Sequence, residues 1–149
     1  MLGNILKVKK IKNNAILPKR ATEGSAGMDL YACIENPLTL RAGEKCIVGT
    51  GISIALEDKN MVGLIFARSG LSVKNGVTLS NGVVVIDSDY RGEISVGLIN
   101  LSNNDYEIKP NERIAQLIIM PIINPEIISV DTLDETTRAE GGFGSTGRS

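Results

Sequence analysis

Short runs of β-prone residues, cut at near-regular intervals by turn formers, dominate this chain. Leu6-Lys7-Val8-Lys9 alternates apolar and polar residues. Cys46-Ile47-Val48 leads through Gly49-Thr50-Gly51 into a second alternating run, Ile52 to Leu56. Met61 to Phe66, Val83 to Ile86, Ile94 to Ile99 and Ile114 to Met120 are further strand candidates. Pro37, Ala42-Gly43, Asn75-Gly76, Asn81-Gly82, Arg91-Gly92, Lys109-Pro110-Asn111 and Pro121 break them apart. Period-two alternation turns one face of a run toward a core and the other toward water. Many such runs at this spacing predict an all-β sandwich or barrel-like jelly roll. Only one stretch invites a short helix: Ser69 is expected to cap it, Leu71 to Asn75 to form it and Gly76 to end it.

With 149 residues, of which 42% are hydrophobic, the chain is expected to bury one core rather than stay disordered. From Asp131 it turns polar and then glycine-rich. A β domain is expected over residues 1–133 and a flexible arm over 134–149. A net charge of −1 argues against a protein that coats nucleic acid, which needs a broad basic footprint. A few placed arginines still suffice for one small polyanion. No run of about 18 apolar residues occurs, and Met1 to Lys12 lacks an apolar signal core, so no membrane partner and a cytoplasmic location are expected. Cys33 and Cys46 stand alone and are read as reduced core residues. There is no histidine. Ser-His-Asp and Cys-His chemistry is thereby excluded, the usual zinc ligand set is missing, and acid–base work falls to carboxylates, tyrosine, lysine or water.

Several stretches carry chemistry. Arg68-Ser69-Gly70 brings a guanidinium, a hydroxyl and the free N–H groups of a helix start to one place, which suits an anion; an ordinary surface turn explains it equally well. Asn81-Gly82 between apolar runs signals a hairpin, whose exposed backbone at Asn81 and Val83 can read the edge of a base. Asp87-x-Asp89 ends an apolar strand, as an acidic turn or with one acid as a base or metal partner, and Tyr90 follows it. Asp29 lies in an apolar strand context, where an acid must be paired. Gln116 interrupts an apolar run, a position that also suits a solvent-facing strand residue. Near the end, Arg138 precedes Gly141-Gly142-Phe143-Gly144-Ser145-Thr146-Gly147. Its G-x-G-x-x-G spacing is not read as a dinucleotide fingerprint, which needs a strand before it and a helix after it. One of only two phenylalanines sits there among glycines, where an aromatic ring suits stacking on a base and the hydroxyls suit phosphate oxygens.

In this order, Ala26 to Leu30, Arg68 to Val77, Asn81 to Gly92, Asn111 to Leu117 and Arg138 to Gly147 resemble the five motifs of the trimeric dUTPase family. The resemblance spans residues 26 to 147, and its third and fifth stretches are the most specific. It implies a jelly-roll subunit in a homotrimer that hydrolyses dUTP to dUMP and pyrophosphate, removing dUTP and supplying dUMP for thymidylate synthesis. Each site would draw on all three chains: Asp29, the Arg68 stretch and Gln116 from one, the Asn81 hairpin from a second and the arm from the third. By the same resemblance Asp87 would activate the water that attacks the α-phosphorus. Asp29 would meet hydrated Mg²⁺, held mainly by the phosphates. Arg68, Ser69, Gly70 and Gln116 would hold the phosphate chain, as would Arg138, Ser145 and Thr146 from the arm. Asn81 and the backbone near Val83 would pair with uracil, Tyr90 would pack under the deoxyribose and exclude a 2′-hydroxyl, and Phe143 with Gly144 would cover the base.

The chain departs from the family pattern at Met28, Ala67, Asn111 and Val84. Asparagine tolerates the positive φ of the glycine it replaces at 111, and Val84, close to the expected base pocket, stands where glycine is frequent. Two rival readings are a dCTP deaminase, which the Arg68 stretch and the Phe143 arm fit less well, and a non-catalytic nucleotide-binding or regulatory trimer on the same scaffold. The second has no need to keep Asp87, Asp29, Arg68, Gln116 and Arg138 together.

Overall fold

The computed structural model describes residues 5–142. It is an all-β jelly roll with one short helix. The strands are β1 (Lys7–Lys10), β2 (Met28–Tyr31), β3 (Leu38–Leu40), β4 (Lys45–Gly49), β5 (Ile52–Ala55), β6 (Met61–Phe66), β7 (Val77–Leu79), β8 (Val84–Ile86), β9 (Ser95–Asn100), β10 (Tyr106–Ile108) and β11 (Arg113–Pro121), with helix α1 (Ser69–Asn75) between β6 and β7. The expected run Met61 to Phe66 coincides with β6, and the other expected strands fall within a residue or so of observed ones. Strands β3, β7 and β10 escape a reading of period, because three residues hold too few alternations to register, whereas the equally short β8 is legible as part of the unbroken apolar run Val83 to Ile86.

All ladders are antiparallel. One sheet runs β2-β11-β6-β8 and a second β4-β9-β7, with the pairs β1-β5 and β3-β10 beside them. Alternation along β9 buries Val96, Leu98 and Asn100 and leaves Ser95, Gly97 and Ile99 half-exposed. The core is aliphatic: Leu30, Ile52, Ile65, Ile94, Leu98, Ile114 and Leu117 are all fully buried. Asn100 is buried with its polar atoms satisfied, since its amide donates to the carbonyls of Leu40 (3.0 Å) and Asn104 (2.8 Å) and its oxygen accepts from Ser102. Cys33 is buried, Cys46 is half-buried, and both are free thiols. No helix among the described residues is long and apolar enough to cross a membrane.

Two local expectations are corrected. Ser69 does not cap α1; it is the first helical residue, and extended Arg68 (φ −91°, ψ 129°) occupies the cap without a side-chain cap bond. The Arg68 guanidinium is drawn back onto Asp29, which holds residue 68 in the strand conformation and pushes Ser69 into the first turn. Gly76 does end the helix, at φ 69°. Nor is Asn81-Gly82 the tip of a two-stranded ladder. Strand β7 pairs with β9, and β8 pairs with β6 in the other sheet. The Ser80 N–H continues toward β9 by donating to the Gly97 carbonyl (2.9 Å), so the turn, with Gly82 at φ 73°, carries the chain from one sheet to the other.

The β10–β11 connection is tied by Glu112, which accepts the Lys109 N–H (2.8 Å) and the Tyr106 hydroxyl, while Asn111 takes the expected positive φ of 63°. Partial burial, then the Glu112 bond and charge, push the Tyr106 phenol up to about 12. Folding therefore favours the protonated phenol, and this stabilisation is complete below its ordinary pKa of about 10 and lost as pH rises toward 12. Urea unfolding of the wild type and Tyr106→Phe should differ most near pH 8, and the difference should shrink at about pH 11.5; a constant difference would contradict the linkage.

Candidate active site

Strand β11 is the spine of the site. It pairs with β2 on one side and β6 on the other, placing Gln116 opposite both Asp29 and Phe66. Arg68 follows β6 by two residues and so reaches back across this row. Asp29 is only 9% exposed. Its Oδ1 accepts the Arg68 Nε–H at 2.8 Å and its Oδ2 an Arg113 N–H at 3.4 Å. The acid expected to need a partner thus has two. Arg113 lies in the fourth motif stretch, but its contact with a residue 84 positions away leaves no trace in local pattern.

Gln116 does not face bulk solvent. Its amide donates to the Ala67 carbonyl (2.9 Å), and its side chain lies over Gly27, where a Cβ would come within 2.4 Å of Oε1. Asp29, Arg68, Ser69, Gly70 and Gln116 border one open pocket of about 360 Å³, with Ala26 and Gly27 on its rim. A guanidinium held on a buried carboxylate, a carboxamide and a hydroxyl suit an elongated anion.

Asp87 and Tyr90 lie elsewhere. With Val84, Glu93 and Ser95 they line a second pocket of about 280 Å³. Ile86 stands opposite Gly63 on β6, so Asp87 falls level with Val62, whereas Asp29 is level with Phe66. That offset is roughly 13 Å along the strands and roughly 14 Å across three strand spacings. The two pockets share no lining residue. Asn81 and Val83 are exposed on the turn that leads into β8. Tyr90 folds its ring back over Gly92, where a Cβ would meet the ring at 2.5 Å, and its hydroxyl donates to the Glu93 carbonyl (3.0 Å). Glu93 is the residue of this pocket that motif reading passed over. Arg138 is exposed and donates to the Gly141 carbonyl (2.9 Å). Phe143, Gly144, Ser145 and Thr146 lie outside the described residues.

The donor set fits Mg²⁺ in one way only. Among the described residues no three histidine, cysteine or acidic groups converge on one point. Each Asp29 oxygen already accepts a guanidinium N–H and keeps a lone pair for a water. This suits an ion carried on a polyphosphate and met through its water shell, as magnesium prefers, rather than one caged by the chain.

The fold and site define an all-β jelly roll with an anion-suited polar pocket of Asp29, Arg68 and Gln116 and a separate acid–tyrosine pocket, and the comparisons say which family carries it. The family model for dUTPase matches residues 13–147. The deoxyuridine 5'-triphosphate nucleotidohydrolase of Idiomarina loihiensis is 48% identical over 140 residues, covering 94% of this chain and 93% of that protein. The solved dUTPase of Staphylococcus bacteriophage 80alpha with dUpNHpp superimposes with a TM-score of 0.88 at 29% identity, covering 98% of this chain and all of that one. A mutant dUTPase from phage phi11 of S. aureus, solved with a structural Mg(II) ion, shares the fold at 24% identity and a TM-score of 0.80, covering 89% of this chain and all of that one. The chain belongs to the dUTPase family.

Asp29→Ala leaves the Arg68 and Arg113 guanidiniums without their shared carboxylate. It should lower the unfolding free energy by about 2 kcal/mol, the scale of a lost charge-assisted bond. Gln116→Ala, which leaves both ion pairs intact, should cost less than about 1 kcal/mol. Urea denaturation measures both; equal costs would mean that the ion pairs add nothing.

Proposed function

We propose that the protein hydrolyses dUTP to dUMP and pyrophosphate at sites shared between copies of the chain in a homotrimer. The observation that carries this reading is the separation of the two half-sites. A base must lie within hydrogen-bond reach of the water it activates, while the phosphate-holding groups contact the same substrate. Asp87 on one chain cannot meet a triphosphate held by Arg68 and Gln116 of that chain, but can meet one held by a neighbour. Extra support comes from the stretch after β11: Ile123, Ile127, Ile128, Val130 and Leu133 are 53–94% exposed, apolar surface that a second copy would cover.

In this reading the pocket of Asp29, Arg68, Ser69, Gly70 and Gln116 binds the phosphate chain. Asp29 holds the Arg68 guanidinium toward it. Asn81 and the Val83 backbone, exposed at the turn, face the uracil, and Tyr90 faces the sugar. Asp87 of a neighbouring chain takes a proton from water, whose oxygen then bonds to the α-phosphorus as the bond to the bridging β-phosphate oxygen breaks. The electron pair leaves on pyrophosphate. Magnesium bound to the triphosphate would supply charge neutralisation there. Asp29 would meet it through water. Arm residues Arg138, Phe143, Gly144, Ser145 and Thr146 close over the nucleotide and exclude water from the phosphates. The dUMP released is a substrate for thymidylate synthesis. The free thiols of Cys33 and Cys46 suit a reducing, cytoplasmic setting.

Pyrophosphate release from dUTP, dTTP, dCTP and UTP, each with Mg²⁺, tests the reading. Selective release from dUTP is expected, and Asp87→Asn should lose turnover at least about a hundredfold while still binding dUTP. Release from none of the four would reject the activity, and near-normal turnover by the variant would reject Asp87 as the base.

A further inference from the structure

Glu93 follows the acid–tyrosine turn, and its side chain is not solvated freely. Its Oε1 accepts the Gly51 N–H at 2.9 Å across 42 residues of sequence. The carboxylate lies over Gly49, where a Cβ would stand 2.6 Å from the same oxygen. Gly51 has φ 69°, and the β4–β5 turn that contains it is otherwise fixed: Thr50 donates to the Ile94 carbonyl through its N–H (3.0 Å) and hydroxyl (2.6 Å), and the Ile94 N–H donates to the Ile52 carbonyl (2.8 Å). Glu93 therefore reaches from an exposed turn to a firmly held one. Its own main-chain carbonyl accepts the Tyr90 hydroxyl. Where that carbonyl sits decides where the ring sits.

We propose that Glu93 is a positioning residue for sugar selection: its side chain ties the Asp87–Glu93 turn to the Gly51 N–H and, together with the Ile94 N–H that holds the same planar peptide as the Glu93 carbonyl onto Ile52, keeps the Tyr90 ring in the 280 Å³ pocket. The inference rests on the reading that Tyr90 faces the deoxyribose. A ring that can swing leaves space for a 2′-hydroxyl, so loss of the clamp relaxes discrimination more than it slows dUTP turnover. The required chemistry is an acceptor at one distance, not a charge. Glutamine preserves it. Aspartate keeps the charge and withdraws the acceptor by one methylene, about 1.5 Å.

The experiment measures kcat/KM for dUTP and for UTP with Mg²⁺ on the full-length protein and on Glu93→Gln, Glu93→Asp, Tyr90→Phe and Tyr90→Ala. Each is checked for a native circular dichroism spectrum and melt. Glu93→Asp should lower the dUTP-over-UTP ratio about tenfold, and Tyr90→Phe, which removes the hydroxyl bond, should lower it in the same direction. Glu93→Gln should stay within about twofold of the wild type. The Glu93→Asp and Tyr90→Phe effects should be non-additive in the double variant, because both act through one carbonyl. A wild-type ratio in Glu93→Asp overturns the proposal. So does an equal loss in Glu93→Gln, which would place the charge itself against substrate. If Tyr90→Ala keeps the wild-type ratio, the reading of Tyr90 fails and takes the proposal with it. Should Glu93→Asp not fold, Glu93→Ala is compared with Glu93→Gln: a lowered dUTP-over-UTP ratio in the first with a wild-type ratio in the second supports the clamp, and equal ratios overturn it.

Discussion

Strand β11 bonds to β2 on one side and β6 on the other, so nine residues set the level of everything that meets in the anion pocket. Asp29, Gln116 and Phe66 share one row because of that double pairing, and Arg68 returns to it from just beyond β6. A slip of one residue would turn Gln116 inward and Leu117 outward. The buried faces of Ile114, Ala115 and Leu117 guard against such a slip. Core packing and site geometry are therefore one constraint.

Within that frame, Asp29 trades solvation for order. Burying a carboxylate is costly unless charges and hydrogen bonds compensate it. Arg68 and Arg113 supply both, and the pair in turn fixes Arg68 at the start of α1. What the arrangement provides is preorganisation: a guanidinium already aimed and already stripped of part of its hydration would need little rearrangement on binding a phosphate, as the proposed function requires. The acid–tyrosine turn is organised on the same principle at the opposite end of the sheet, through Gly92 beneath the ring and Glu93 against Gly51.

Much of this was written in the sequence, and the rest for physical reasons was not. The apolar residues of β9 alternate because its two faces meet different surroundings, and β6 and β8 were legible as unbroken apolar runs, while β3, β7 and β10 are too short to show a period. Gly76 and Asn111 were legible because positive φ restricts residue type. Ser69 misled, since a good capping residue yields when an ion pair from the preceding residue fixes the helix start. Asn81-Gly82 signalled a turn correctly and a ladder wrongly: turn chemistry is local, whereas the partner of β8 is chosen by the sheet. Asp29, Arg68, Gln116, Asp87 and Tyr90 stood out through motif resemblance. Arg113 and Glu93 did not, because each acts through a contact far away in the chain.

The central claim is that neither end of the β2-β11-β6-β8 sheet is a complete site, and that one chain's anion pocket works with another chain's Asp87. Mixing two inactive proteins tests it most directly. Asp29→Ala and Asp87→Asn are each purified, combined in equal amounts, unfolded and refolded together, and assayed with dUTP and Mg²⁺. If sites lie between chains, random assembly leaves about one site in four with both acids intact, and activity should return to roughly a quarter of that of refolded wild type. If each chain carries its own site, every site lacks one acid, and the mixture will stay as inactive as its parts.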